Sequence, residues 1–159
     1  MLTHVEDAAR QAAPKETGGI LTGWREGDSV VVRHALTVTD PEAQHSQYQR
    51  NHAAAETALS AHLREMSDER LGYVGEWHTH PLPQDPSGKD WASVRRIASV
   101  AGGSVALIVA ALDPGTLHVR THAGIGRRNR LGRAITQKAT VNLLEMPTSS
   151  PIPDNRSDA

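Results

Sequence analysis

The stretch SVALIVAAL, from Ser104 to Leu112, contains no charged side chain and nothing more polar than its opening serine. It is too short to cross a bilayer, which takes about 18 or more apolar residues. A strand with one face in water would alternate apolar with polar positions; an unbroken run suits a strand covered on both faces. Helices must then lie on both sides of the sheet to which it belongs.

The rest of the chain supplies such elements. Thr3 and Glu6 have capping-box spacing, and Pro14 would stop the short helix they begin. Gly18 to Trp24 and Ser29 to Val38 read as a hairpin around Glu26-Gly27-Asp28, and Ala43 to Met66 has helix-forming composition. Gly72 to Thr79 reads as a strand, and Pro81, Pro83 and Pro86 enforce a stiff bend after it. A helix is expected from Gly88 to Ala101, closed by Gly102-Gly103. Asp113-Pro114-Gly115 turns the chain into a strand from Leu117 to Ala123; Gly126 to Met146 reads as a strand plus helix, and Pro147 to Ala159 as a disordered tail. Helices interleaved with strands, some joined by hairpins, predict an α/β fold with a mixed sheet packed with helices and SVALIVAAL at its centre.

A length of 159 residues fits one domain, here 1–146. Lys plus Arg number 17 against 18 Asp plus Glu, so no global basic field favours nucleic acid, and specific nucleic-acid binding is not expected. The absence of cysteine excludes disulfides, thiolate metal ligands and a thiol nucleophile. The first residues lack the basic-then-apolar layout of a signal peptide, so a soluble cytoplasmic protein without a membrane partner is expected.

The chemistry concentrates in GEWHTHPLPQDPSGKDW, Gly75 to Trp91. Strand alternation points His78 and His80 the same way, and Asp90 could return from the next element as a third ligand, leaving a position open for water. Imidazole and carboxylate together suit zinc. Taken alone, two histidines at this spacing are more often surface or core residues, and Ser87 followed by Asp90 is also what a helix N-terminus wants. Glu76 shares the histidine face and reads as a supporting or surface residue. His118 and His122 share a strand face without a carboxylate and read as exposed polar residues. Trp77 and Trp91 read as packing residues. Arg127, Arg128, Arg130, Arg133 and Lys138 read as a solvated face, with an acidic partner as the sharper alternative.

His78-Thr79-His80-Pro81 followed by Ser87-Gly88-Lys89-Asp90 resembles the signature of the JAMM (JAB1/MPN+) zinc metalloproteases, and GEWHTHP is similar to their prokaryotic JAB branch. The family pairs this signature with an upstream glutamate, and Glu16-Thr17-Gly18-Gly19-Ile20-Leu21-Thr22-Gly23 resembles that segment. One departure is visible: six residues, Pro81 to Pro86, separate His80 from Ser87, where the family more often has seven. The resemblance implies a cytidine-deaminase-like JAB/MPN fold and one zinc on His78, His80 and Asp90. It further implies Glu16 as general base and Ser87 as the donor to the oxyanion. The implied reaction is hydrolysis of the amide bond after the C-terminal tail of a ubiquitin-like or sulfur-carrier protein. The alternative is a non-catalytic MPN-type scaffold that binds protein partners, although a scaffold needs none of these five residues.

Overall fold

The computed structural model describes residues 1–38 and 51–144. The chain runs α1 (Leu2–Ala12), β1 (Gly18–Glu26), β2 (Ser29–Thr37), α2 (His52–Met66), β3 (Gly72–His80), α3 (Gly88–Val100), β4 (Val105–Leu112), β5 (Val119–Arg128) and β6 (Ala134–Lys138). The six strands form one sheet in the order β2-β1-β3-β4-β5-β6. β3 and β4 pair in parallel through the α3 crossover, and the other neighbours are antiparallel, so the sheet is mixed.

All eight residues of β4 are buried, as its unbroken apolar sequence requires. On one face, Val5 and Ala9 of α1 pack with Leu21, Trp77, Ile108, Ala110 and Leu112. On the other, α2 meets Ile20 through Ala55, and α3 meets Leu107 and Val109 through Val94. Helices thus cover both faces, and the space between α2 and α3 opens onto β3.

Within β3 the alternation is broken once. Leu21 pairs with Gly75 and Thr22 with Tyr73, leaving Val74 without a partner on β1. This bulge puts Val74 and Trp77 on the α1 face while Tyr73 packs on the α2 side. Gly75 is required beside it, because a Cβ there would lie 2.1 Å from the Ala106 carbonyl oxygen.

Three expectations are corrected. The α1 helix begins at Leu2 with Met1 as N-cap and no side-chain cap bond, so Thr3 lies inside the helix rather than capping it. Gly126 to Met146 holds no helix among the described residues. β5 continues to Arg128 and returns as β6, because the Asn129 side chain accepts from the amides of Leu131 and Arg133 (3.0 and 2.9 Å) and Gly132 takes φ +75°. His118 precedes β5, whereas His122 lies on it with a side chain only 16% exposed; the two do not share an exposed strand face. The helix expected over Ala43 to Met66 starts only at His52 as α2, because Asn51 is its extended N-cap and accepts from the Ala54 amide; residues 43–50 lie outside the described residues. The Pro147 to Ala159 tail also lies outside them. No helix among the described residues is long and apolar enough to cross a membrane.

Candidate metal centre

The C-terminal end of β3 and the first turn of α3 converge. His78 and His80 project from the same strand face, and their Nε2 atoms lie 3.2 Å apart, close enough for one N–H to donate to the other. His78 Nε2 is 3.2 Å from Asp90 Oδ1, and His80 Nε2 is 3.5 Å from Asp90 Oδ2. The three side chains are between 9% and 16% exposed. Among the described residues this is the group of histidine and carboxylate side chains able to converge on one ion.

The donor set suits a tetrahedral cation. With metal–ligand bonds of about 2.0–2.1 Å, tetrahedral geometry separates donors by about 3.3–3.4 Å. The His78–His80 and His78–Asp90 Oδ1 spacings, both 3.2 Å, lie close to that edge, and His80 meets the other carboxylate oxygen at 3.5 Å. Two imidazoles and one carboxylate are also the ligand types that zinc accepts where thiolate is absent.

Local rules explain why these side chains meet. Ser87 is the N-cap of α3 and forms a reciprocal capping box with Asp90: Asp90 N donates to Ser87 Oγ (3.3 Å) and Ser87 N to Asp90 Oδ2 (2.5 Å). The bond that starts the helix therefore also fixes the rotamer that turns Asp90 towards the histidines. His80 Nδ1 lies 3.3 Å from the Gln84 carbonyl, which can take its N–H and leave the Nε2 lone pair facing the cluster.

Charge follows geometry. Hydrogen bonding to Asp90 raises the His80 pKa above its ordinary value despite burial, with help from the Gln84 carbonyl and the charges of Asp90 and Glu16. Burial alone would raise the Asp90 pKa, but hydrogen bonds from His78, His80 and Ser87 hold it far below the usual carboxylate range.

Glu16 lies just before β1. Thr17 N donates to Thr79 Oγ1 (2.9 Å), Thr79 N donates to the Thr17 carbonyl (2.8 Å), and Gly18 pairs with His78. These contacts bring the Glu16 segment alongside the ligand strand. Glu16, His78, His80, Ser87, Asp90 and Glu76 all line one groove of about 990 Å³ between α2 and α3. Glu76 takes a hydrogen bond from Tyr73 Oη at 3.3 Å, on a floor that also includes Ile20 and Leu107.

Thr79 and Gln84 carry contacts that sequence reasoning did not assign. The hydroxyl-bearing residue inside His-x-His was the available signal for Thr79. Gln84 acts through its backbone, so its side-chain identity carried none. Trp77 is wholly buried and donates through Nε1 to the Leu36 carbonyl (3.1 Å), while the Trp91 ring occupies the space over Gly124. In the basic stretch, Arg127 pairs with Asp28 (3.2 Å), Arg128 donates to the Ser99 carbonyl, and Lys138 lies 3.6 Å from Asp85. Part of that stretch is thus committed within the chain.

Comparison with known proteins bears on the same region. A protein described as a CD-NTase/cGAS isopeptidase, from Enterobacter hormaechei subsp. hoffmannii (strain UCI 50), is 36% identical over 93 residues, covering 56% of this chain and 49% of that protein. The chain therefore spans about half the length of that curated relative. The solution structure of protein DSY2949 from Desulfitobacterium hafniense superposes with a TM-score of 0.65 at 21% identity, covering 91% of this chain and 89% of that one; the likeness is one of fold. Residues 1–122 match the family described as prokaryotic homologs of the JAB domain, a span that takes in both the Glu16 segment and the His78–Asp90 cluster. The chain belongs to that family of prokaryotic JAB-domain proteins.

Proposed function

We propose that the protein is a zinc-dependent isopeptidase or peptidase that hydrolyses the amide bond after the C-terminal tail of a ubiquitin-like or sulfur-carrier protein. The observation that carries this reading is the convergence of His78, His80 and Asp90 in one groove with Glu16. Family membership and the isopeptidase description of a relative support it.

His78, His80 and Asp90 would hold the zinc, which when bound would supply Lewis acidity near neutral pH. Glu16 takes the proton from the attacking water and delivers it to the leaving amine. Ser87 Oγ accepts from Asp90 N, which leaves its O–H to donate to the oxyanion. Loss of one such donor typically costs about 2.7–4 kcal/mol of transition-state stabilisation. His80 keeps its tautomer through Gln84, and burial of the cluster limits competing water.

The Pro81 to Pro86 loop borders the site, so a narrow, extended peptide fits best. Small residues such as Gly-Gly before the scissile bond let the backbone approach the centre.

The test combines a panel of ubiquitin-like fusions with two variants. Glu16→Gln should retain zinc and lose nearly all hydrolysis, and Glu76→Gln should retain turnover. The reverse pattern would move the base to Glu76. Equal cleavage when the residue before the scissile bond is enlarged from Gly to Leu would remove the tail-specific reading.

A further inference from the structure

The loop that joins the two ligand-bearing elements is pinned at a point the site itself does not explain. His78, Val109 and His122 form one cross-strand row on β3, β4 and β5. His122 therefore stands two strands from His78, roughly 9.5 Å away at about 4.8 Å per strand. Its Nε2 is buried and has no hydrogen-bond partner, yet it faces Asp85 Oδ1 at 3.6 Å, within reach of an ion pair. Lys138 on β6 approaches the other oxygen, Oδ2, also at 3.6 Å.

The two contacts are unequal. Lys138 is 79% exposed, and a pair in that setting contributes about 0–1 kcal/mol. His122 is largely screened from water, so its N–H depends on Asp85 for a polar neighbour. Asp85 follows Gln84, whose carbonyl faces His80, and precedes Ser87, whose amide holds Asp90. One short loop is thus fastened to His80 just past its middle, to β5 and β6 at the next residue, and to Asp90 immediately after its end.

We propose that Asp85, gripped by His122 and Lys138, is a positioning residue. It holds the six-residue loop so that the Gln84 carbonyl meets His80 and Asp90 closes on both histidines. This rests on the reading of His78, His80 and Asp90 as zinc ligands. It also gives a physical role to the loop's length: each pinned residue leaves the next ligand-supporting group at a fixed distance.

The experiment uses the full chain with Asp85→Ala, Asp85→Asn, His122→Ala and the double alanine variant. Zinc affinity is measured by competition with a chromophoric chelator, and amide hydrogen exchange is followed at Gln84 and Ser87 in metal-free protein. Each single alanine variant should bind zinc about tenfold more weakly, the low end of the effect of losing a partner behind a ligand. The double variant should be no weaker than about tenfold, because both changes break one link. Asp85→Asn keeps an oxygen acceptor and should stay within about threefold. Gln84 and Ser87 amides should exchange faster in Asp85→Ala while those of β4 do not change. Native zinc affinity and unaltered exchange in Asp85→Ala would overturn the proposal, as would single effects that multiply in the double variant. If the unaltered chain binds no zinc, the ligand reading falls, and unaltered exchange in Asp85→Ala separately overturns the pinning. Should His122→Ala fail to fold, the Asp85 variants decide alone, since that side chain is 61% exposed.

Discussion

If His80 holds zinc as proposed, zinc and protons compete for its Nε2, and the raised pKa of His80 gives that competition its sign. In metal-free protein His80 is more basic than a free histidine because it is hydrogen-bonded to Asp90. A folded-state pKa above the unfolded value of about 6.5 contributes stability that is fully present below pH 6.5 and lost as pH rises through the folded pKa. Asp90 is shifted the other way, so its contribution is present above about pH 3.8 and lost as pH falls towards its depressed value. The metal-free protein should therefore draw its largest benefit from this pair between about pH 4 and 6.5. Zinc needs the neutral imidazole, so its stabilisation runs in the opposite direction. A histidine with pKa above 6.5 costs at least about tenfold in apparent affinity at pH 5.5 relative to pH 8. With free zinc at 100 times its dissociation constant at pH 8, stabilisation is about 2.7 kcal/mol; a tenfold loss of affinity leaves about 1.4 kcal/mol. At about 2–4 °C per kcal/mol for a domain of this size, the zinc-induced rise in Tm should shrink by roughly 3–5 °C. Calorimetric melting with zinc and with chelator at both pH values measures it. A zinc-induced shift as large at pH 5.5 as at pH 8 would refute the assignment of His80 as a ligand.

Other outcomes follow from single contacts. Asp90→Asn should abolish tight zinc binding while largely keeping the N-terminus of α3, whereas Asp90→Ala should lose zinc and about 1 kcal/mol of stability besides, which metal analysis and melting separate. Gly75→Ala forces a Cβ against the Ala106 carbonyl oxygen, 2.1 Å away before any shift, and should cost about 1–3 kcal/mol or more in denaturant unfolding. Trp77→Phe removes the indole hydrogen bond to the Leu36 carbonyl and should destabilise by about 0.5–1.5 kcal/mol with metal stoichiometry unaltered, since Trp77 faces α1 rather than the groove.

Where local rules govern, the sequence was informative. The apolar run at β4 required cover on both faces, and the structure supplies α1 on one side and α2 with α3 on the other. Alternation along β3 put His78 and His80 on one face, and the Ser87–Asp90 spacing matched a helix start. What escaped depends on contacts distant along the chain. The bulge at Val74 arises from register against β1, and its sequence trace is an ordinary-looking glycine at position 75. The stretch after Gly126 has a composition that a helix could accept, but edge pairing with β5 captures it as β6, and the turn at Asn129 and Gly132 sets the register. His122 looked like a surface histidine because Asp85, which gives it a partner, is 37 residues earlier and on another element.

Asp90 shows why a helix-start reading and a ligand reading of one residue need not compete. Its Oδ2 takes the Ser87 amide that closes the capping box, while Oδ1 faces His78. A carboxylate in the first turn of α3 is also favoured by the helix dipole, which stabilises the charged form that a metal requires. The helix thus prepays part of the cost of holding an anion in a half-buried place, and does so before any ion arrives. The same bond restricts Asp90 to one rotamer, so binding loses less side-chain freedom than it would with a carboxylate on a loop. Formation of the first turn of α3 is then also what brings the carboxylate to the two imidazoles of β3: whatever loosens that turn must draw Asp90 away from His78 and His80.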